Sequence, residues 1–193
     1  MESEKHIDIQ FLLRELSIVK KKYEYKYNEA EKFNVFKALH KWNDERRLHS
    51  RFLSVLLNPK GSHGKGNIFL GLFLKKVEID LGKLDNLTIF PNEIDKKEYR
   101  DIDILIVNRK RNKALIIENK IHASDSNNYR DGQLERYYNR MLNEGIQQKK
   151  LHTIYLTLDG SEPSYESLGE YWSLENINGK CISYETEIIK WLD

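Results

Sequence analysis

The sequence has little cysteine and no long apolar stretch. Among its 193 residues there is one cysteine, Cys181, which excludes an internal disulfide framework and a cysteine zinc cluster. No apolar run approaches the roughly 20 residues needed to cross a bilayer. The first residues also lack the apolar core of a signal peptide. We therefore expect a cytoplasmic protein with no membrane partner.

Neither sign of charge is in large excess. The chain has 32 Lys and Arg against 30 Asp and Glu, which gives a net charge of +2. This is too small to indicate a nucleic-acid-binding protein by itself. The hydrophobic content of 39% predicts a globular protein, and the length suits one domain with a sizeable core. Because no repeat or flexible linker interrupts the sequence, we expect a single domain over 1–193.

The spacing of apolar residues predicts the order of the elements. Helical spacing is found within 1–30 and over 31–42, 44–57, 67–77 and 129–144. Apolar runs of strand length lie at 87–95, 101–108, 113–121, 151–158 and 181–184. Three consecutive strands, a helical crossover and a fourth strand predict an α/β core. We divide the chain into an N-terminal helix (1–30), a core (31–157) and a C-terminal extension (158–193). Since the last helix has no stop signal, we expect the extension to be truncated.

The most informative stretch is a predicted β-hairpin over 101–121. Its two apolar runs flank a four-residue basic link, 109–112. We expect Asn108 to face Lys113 across the turn. The pairing of the remaining residues follows from this register, and a slip of one residue would move every side chain to the other face.

In this register, charged side chains meet at one end of the hairpin. Asp103 lies directly opposite Glu118, and Asp101 directly opposite Lys120. Since alternate side chains share a face, all four lie on the same side of the sheet. Facing carboxylates destabilise a sheet unless a cation lies between them.

A divalent metal ion together with Lys120 would provide that positive charge. Asp103 and Glu118 are suited to hold Mg²⁺, with the backbone carbonyl of Asn119 as a further oxygen ligand. In the hydrolysis of a phosphodiester, Lys120 could orient the attacking water or stabilise charge on the phosphorane. The alternative is an exposed charged end of a sheet, with surface salt bridges from Lys120 to Glu118 or Asp101.

These residues resemble a known family. Asp103, followed by Ile117-Glu118-Asn119-Lys120, is similar to the D…(D/E)xK signature of the PD-(D/E)xK nuclease superfamily. The order of elements resembles the restriction-endonuclease-like core of that superfamily. Blocks at 48–59, 61–64 and 155–163 resemble a largely uncharacterised bacterial subgroup. The resemblance implies an α/β fold with a mixed four- to five-stranded sheet flanked by helices, preceded by an N-terminal helical segment.

The resemblance also implies roles for further residues. Gln133 and Tyr137 match the QxxxY motif of RecB-like members, where they would touch substrate phosphate or order the site. In such enzymes an acid on the first core helix often joins the metal ligands. Glu45 is the candidate here, with His49 as the alternative on the same helix face.

One feature departs from the family pattern, because the proline that precedes the first aspartate is absent. This leaves Asp101 as an alternative ligand to Asp103, although the facing of Asp103 and Glu118 favours Asp103. His63, in a glycine-containing loop, and Glu93, on the preceding strand, are weaker candidates for a role at the site.

We therefore predict a DNA-cleaving, Mg²⁺- or Mn²⁺-dependent phosphodiester hydrolase in which Asp103, Glu118 and Lys120 are catalytic. The sequence does not distinguish single- from double-stranded DNA, or DNA from RNA. The alternative is a non-catalytic nucleic-acid-binding or assembly module on the same fold. The amphipathic N-terminal helix leaves a homodimer open.

Overall fold

In a computed structural model of the protein, the described residues are 21, 45–91, 99, 101–121 and 132–193. The chain divides into two compact units, 1–42 and 43–193, and the elements below belong to the second. Apart from residue 21, which is helical, the predicted helices within 1–30 and over 31–42 lie outside the described residues, as does Glu93. The single domain over 1–193 stays a prediction.

The second unit contains helices and strands in the predicted order. Its helices are a π-helix at Glu45–Ser50 that continues into α1 (Arg51–Leu57), α2 (Ile68–Lys76), α3 (Gln133–Asn143), α4 (Tyr165–Leu168), and a π-helix at Tyr184–Ile188 that continues into α5 (Ile189–Leu192). Its strands are β1 (Thr88–Pro91), β2 (Ile104–Asn108), β3 (Lys113–Lys120), β4 (Leu151–Thr157) and β5 (Gly179–Ser183). Short 3-10 helices lie at Leu84–Asn86, Gln148–Lys150, Gly169–Tyr171 and Glu175–Ile177.

The five strands form one mixed sheet in the order β1-β2-β3-β4-β5. The first three pair antiparallel, and the short link 109–112 joins β2 to β3 as a hairpin. Helix α3 then carries the chain across the sheet, so β4 lies parallel to β3, and β5 is parallel to β4. This confirms the predicted α/β fold with a mixed sheet flanked by helices.

Each face of the sheet is covered by a separate apolar core. The first core joins the inward side chains of α1 and α2 to Ile104, Ile106, Leu115 and Ile117. The second joins α3 to Leu105, Val107, Ala114 and Ile116. Because successive side chains of a strand point to opposite faces, a strand buried on both faces is apolar along its length. The apolar runs of β2 and β3 have this physical origin.

The predicted hairpin register is confirmed, since Asn108 pairs with Lys113 and Ile104 with Ile117. The predicted start of the strand at residue 101 is wrong. Residues 101–103 form a turn and bend, closed by a hydrogen bond from the Ile102 N–H to the Tyr99 carbonyl at 3.0 Å. Asp101 is exposed and has no strand position opposite Lys120. The Ile102 side chain is completely buried, which stabilises the turn. Because the turn precedes β2, the alternation of side chains between the two sheet faces does not extend back to residue 101.

The segment between β4 and β5 contains regular structure. It contains α4 and two 3-10 helices, and it packs against α3 through Leu168, Leu174 and Ile177 of the second core. None of the helices among the described residues is both long enough and apolar enough to cross a membrane.

Substituting Ile116 by alanine tests the second core. Its side chain is fully buried in the central strand, so Ile116→Ala should lower the free energy of unfolding by about 2–5 kcal/mol. Urea denaturation measures this. The matched control is Ile68→Ala, at a side chain that is 58% exposed, which should change it by about 0.5 kcal/mol or less. Equal losses in the two variants would contradict the assignment of Ile116 to the core.

Candidate active site

Glu118 is the centre of the candidate site. It lies near the carboxyl end of β3 with 1% of its surface exposed. Lys120 follows two residues later on the same face, and its Nζ lies 3.2 Å from the Glu118 Oε1. The Lys120 side chain is only 10% exposed. A carboxylate this deeply buried requires charged or hydrogen-bonding partners, because leaving water costs an ion several kcal/mol.

Helix α3 brings two further polar groups to Glu118. The Gln133 Nε2 donates to Glu118 Oε1 at 2.7 Å and to the Tyr137 hydroxyl at 2.9 Å. Since an ionised carboxylate only accepts hydrogen bonds, the amide nitrogen of Gln133 must face it. The four-residue spacing puts Gln133 and Tyr137 on one side of the helix. The structure therefore brings both residues of the predicted pair to Glu118.

Gln133 also has a buried acceptor. Its Oε1 accepts no hydrogen bond from any residue in the described part of the chain. A buried polar atom of this kind usually has water, an ion or a ligand as its partner. The arrangement leaves an acceptor at the site for such a group.

Asp103 lies beside Glu118, one residue beyond the last β2–β3 pair. It is 8% exposed, and its Oδ2 accepts a hydrogen bond from the backbone N–H of Asn119 at 3.0 Å. Asp101, the alternative candidate, is exposed in the preceding turn. The geometry therefore places Asp103, rather than Asp101, against the strand that carries Glu118 and Lys120.

Asn119 is the residue that sequence reasoning missed, because only its backbone carbonyl was considered. Its side chain is buried on the opposite face of β3, where Nδ2 donates to the Ser50 Oγ at 2.9 Å. The Tyr184 hydroxyl donates to its Oδ1 at 3.0 Å. Asn119 thus ties the strand to both π-helices. Local sequence carries no signal for this, since both partners are about 65 residues or more away.

The first core helix lies on that opposite face as well. His49 places its ring edge-on to Tyr184, with 6.0 Å between ring centroids. The His49 and Tyr184 side chains are therefore on the Asn119 side of the sheet, away from Gln133 and Tyr137. Glu45 opens the π-helix, but its side chain lies outside the described part of the structure. The predicted roles of His49 and Glu45 stay predictions.

His63 has a structural set of partners in its loop. The backbone N–H of Lys65 donates to the His63 Nδ1 at 3.0 Å, so the ring proton is on Nε2, which donates to the Asn58 carbonyl at 2.9 Å. The ring also packs edge-on against Phe69. Both ring nitrogens are therefore used within the loop and its flanking residues.

Burial and negative charge act together on Tyr137. Its side chain is 4% exposed, and desolvation raises the pKa of its hydroxyl well above the ordinary value. The carboxylates of Glu118, Asp103 and Asp101 raise this pKa further, while the hydrogen bond from Gln133 opposes them. Tyr137 is consequently a neutral hydroxyl beside three acids, with its own proton still available for donation.

The donor set at the site fits Mg²⁺ or Mn²⁺ in its chemistry. Asp103 and Glu118 offer buried carboxylate oxygens, and Gln133 has an unused buried oxygen. Such ions are commonly held by one or two carboxylates, with water and substrate phosphate completing the ligands. The described ranges contain no group of three or more His, Cys, Asp or Glu arranged to hold a metal.

The sheet order, the hairpin and the buried carboxylate–lysine pair together define a restriction-endonuclease-like protein with an acidic site at a strand end. A family model described as the PD-(D/E)XK nuclease superfamily matches residues 33–193, and the chain belongs to this superfamily. Nucleases of this superfamily generally use divalent metal ions. Searches of curated proteins and of solved structures found no match.

Asn119→Ala tests the connection between β3 and the π-helices. The change leaves the Ser50 and Tyr184 hydroxyls without their amide partner, so the free energy of unfolding should fall by about 1–3 kcal/mol. Urea denaturation measures this. Asn143→Ala, at an exposed residue of α3, is the matched control and should change it by about 0.5 kcal/mol or less. A loss no larger than in the control would show that the amide does not connect these elements.

The raised pKa of Tyr137 predicts a loss of stability in alkali. Above about pH 10 the unfolded chain releases the phenol proton while the folded chain keeps it. The stability from this group is therefore complete below the unfolded pKa and is lost as the pH rises towards the folded pKa. Between about pH 9 and pH 11 this amounts to about 1 kcal/mol. Urea denaturation at both pH values should show a smaller loss in Tyr137→Phe than in the wild type.

The control for this pH experiment is Tyr165→Phe, because the Tyr165 side chain is 72% exposed. It should show the same alkaline loss as the wild type. A wild-type loss retained in full by Tyr137→Phe would contradict the assignment.

Proposed function

We propose that the protein is a divalent-metal-dependent nuclease that hydrolyses phosphodiester bonds of DNA. The observation that carries this proposal is the buried Glu118 carboxylate, held by Lys120 at 3.2 Å and Gln133 at 2.7 Å beside Asp103. The alternative, an exposed charged strand end, does not match a carboxylate with 1% of its surface in solvent. Membership of a nuclease superfamily supports the same reaction.

Asp103 and Glu118 are proposed to hold the metal, with the Asn119 carbonyl and Glu45 as further candidate ligands. A bound Mg²⁺ or Mn²⁺ would provide the positive charge that polarises the phosphate and lowers the pKa of a water molecule. Rigid strands suit this task, because small displacements of ligands and reacting groups are costly. The Asp103–Asn119 hydrogen bond would keep the two carboxylates in register.

Lys120 is proposed to act on the attacking water or on the charged phosphorane oxygens. Its ammonium is a compact charge, and Glu118 fixes its position at the rim of the buried site. In a site from which water is largely excluded, such a charge stabilises a developing anion more than it would in solution.

Gln133 and Tyr137 are proposed to orient the groups of the active site. Gln133 uses both amide hydrogens, one on Glu118 and one on Tyr137. Its buried oxygen, which accepts no hydrogen bond among the described residues, is left as an acceptor for a water molecule or a substrate group. The neutral Tyr137 hydroxyl can donate to a phosphate oxygen or a carboxylate. This arrangement supports the predicted RecB-like QxxxY pair, which stays part of the proposal. His49, on the other face, would support the first helix.

Lys120→Ala provides the decisive test. With Mg²⁺ or Mn²⁺, we expect the wild type to cleave DNA and Lys120→Ala to lose roughly a hundredfold or more in rate. Plasmid, linear duplex and single-stranded DNA, with RNA in parallel, would show the preferred substrate. The matched control is Lys149→Ala, at an exposed lysine in the 3-10 helix before β4, where we expect about a twofold change or less.

Metal binding needs a measurement that does not depend on cleavage. Mn²⁺ should raise the melting temperature of the wild type, because a ligand that binds only the folded state stabilises it. Asp103→Asn and Glu118→Gln should abolish this rise. If wild type and Lys120→Ala bind DNA equally and both are inert with either metal, the protein is instead a binding or assembly module on this fold.

A further inference from the structure

Glu135 is a buried acid that the proposed reaction does not use. It is 8% exposed and lies in the first turn of α3. Its Oε2 accepts one hydrogen bond from the N–H of Gly132, just before the helix, at 3.2 Å. The same oxygen accepts another from the N–H of Glu170 at 3.2 Å. Glu135 therefore joins the start of α3 to a distant segment between β4 and β5.

We call that segment, residues 164–171, the arm. It consists of α4 and the following 3-10 helix, Gly169–Tyr171. Farther along α3 it makes a second contact, where the Tyr171 hydroxyl donates to the Asn139 Oδ1 at 2.5 Å. The arm thus lies along α3 from its first residues to its middle.

Two glycines allow the arm to lie this close to the start of α3. A Cβ on Gly132 would lie 2.5 Å from the Ser167 carbonyl oxygen and 2.6 Å from the Gly169 nitrogen. A Cβ on Gly169 would lie 1.8 Å from the Glu135 Oε2, and Gly169 has a φ of 58°. Main chain packs directly on main chain here, so the position of the arm fixes the position of the helix start.

The helix start is also where α3 reaches the candidate active site. Gln133 directly follows Gly132 and donates to Glu118 at 2.7 Å. Glu135 lies two residues later, roughly 200° around the helix from Gln133. A single helical turn therefore contacts the active-site carboxylate on one side and the arm on the other.

We propose that Glu135, enclosed by Gly132 and Gly169, is a positioning residue through which the arm holds Gln133 against Glu118. Its effect on cleavage rests on the nuclease function proposed above. The carboxylate binds the N–H groups of Gly132 and Glu170. It acts by fixing the first turn of α3, and a shift of that turn would move the Gln133 amide away from its carboxylate partner.

A double-mutant cycle with Gln133 tests this. Glu135→Ala should lower kcat roughly tenfold with little change in KM, because misplacing an orienting group slows the reaction. Glu135→Gln keeps an acceptor for the helix start and should stay within about threefold of the wild type. In a Gln133→Ala background, Glu135→Ala should add less than about a twofold loss. An equal loss in both backgrounds would overturn the proposal, because Glu135 would then act without Gln133.

Tyr171→Phe is the matched control, because it removes an arm–helix hydrogen bond that lies six residues farther along α3 than Gln133. It should leave kcat within about twofold of the wild type. A tenfold loss in this variant would show that any loosening of the arm slows the reaction, and would refute the specific role of Glu135. If Glu135→Ala does not fold, Glu135→Asp, with its carboxylate one methylene shorter, replaces it in the cycle.

A spectroscopic measurement separates this proposal from the nuclease function. The side-chain amide NMR signals of Gln133, assigned by their absence in Gln133→Ala, report the contact with Glu118. They should move in Glu135→Ala and stay in place in Glu135→Gln and Tyr171→Phe. Unchanged signals in Glu135→Ala would refute the positioning role even if the protein cleaves DNA. If the wild type does not cleave DNA, the proposed function fails, and these signals alone decide the role of Glu135.

Discussion

Glu118 brings a carboxylate to the end of the central strand with 1% of its surface exposed. Removing such a charge from water costs several kcal/mol unless other groups replace the lost hydration. In this protein Lys120 and Gln133 contact the carboxylate directly. The hairpin must therefore place Lys120, and helix α3 must place Gln133, at the same strand end. The topology of the sheet satisfies both requirements.

The strand that carries the site is fixed from both of its faces. On one face Glu118 accepts a hydrogen bond from Gln133 of α3. On the other the Asn119 amide binds Ser50 and Tyr184. The backbone N–H of Asn119 also holds the Asp103 carboxylate. Consecutive residues of one strand thus contact four different elements. A rigid strand end of this kind can hold two carboxylates side by side despite their repulsion.

The segment between β4 and β5 contributes to the same region indirectly. Through Glu135 and the two glycines it sets where α3 begins, and α3 begins with the residue that contacts Glu118. The second apolar core, which includes Leu168 and Tyr138, lies beneath this contact. Packing and polar contacts therefore converge on the first turn of α3.

The sequence by itself was enough to predict the hairpin and its register. Each of these follows from local rules, namely a two-residue alternation and a short turn. Gln133 and Tyr137 are four residues apart, so helix geometry likewise puts their side chains on one face of the helix. The strand start at 101 was wrong, because the turn formed by Tyr99 and the buried Ile102 interrupts the alternation.

Other features were decided by the tertiary structure alone. Asn119 binds partners about 65 residues or more away in the sequence, on the face opposite Glu118. Glu135 binds Glu170, 35 residues away. The same packing puts His49 on the far face, beside Tyr184. Such contacts depend on which elements the folded sheet brings together, and no periodicity along the chain encodes them. Local sequence therefore determined which side chains share a face, and the tertiary structure determined which groups hold that face in place.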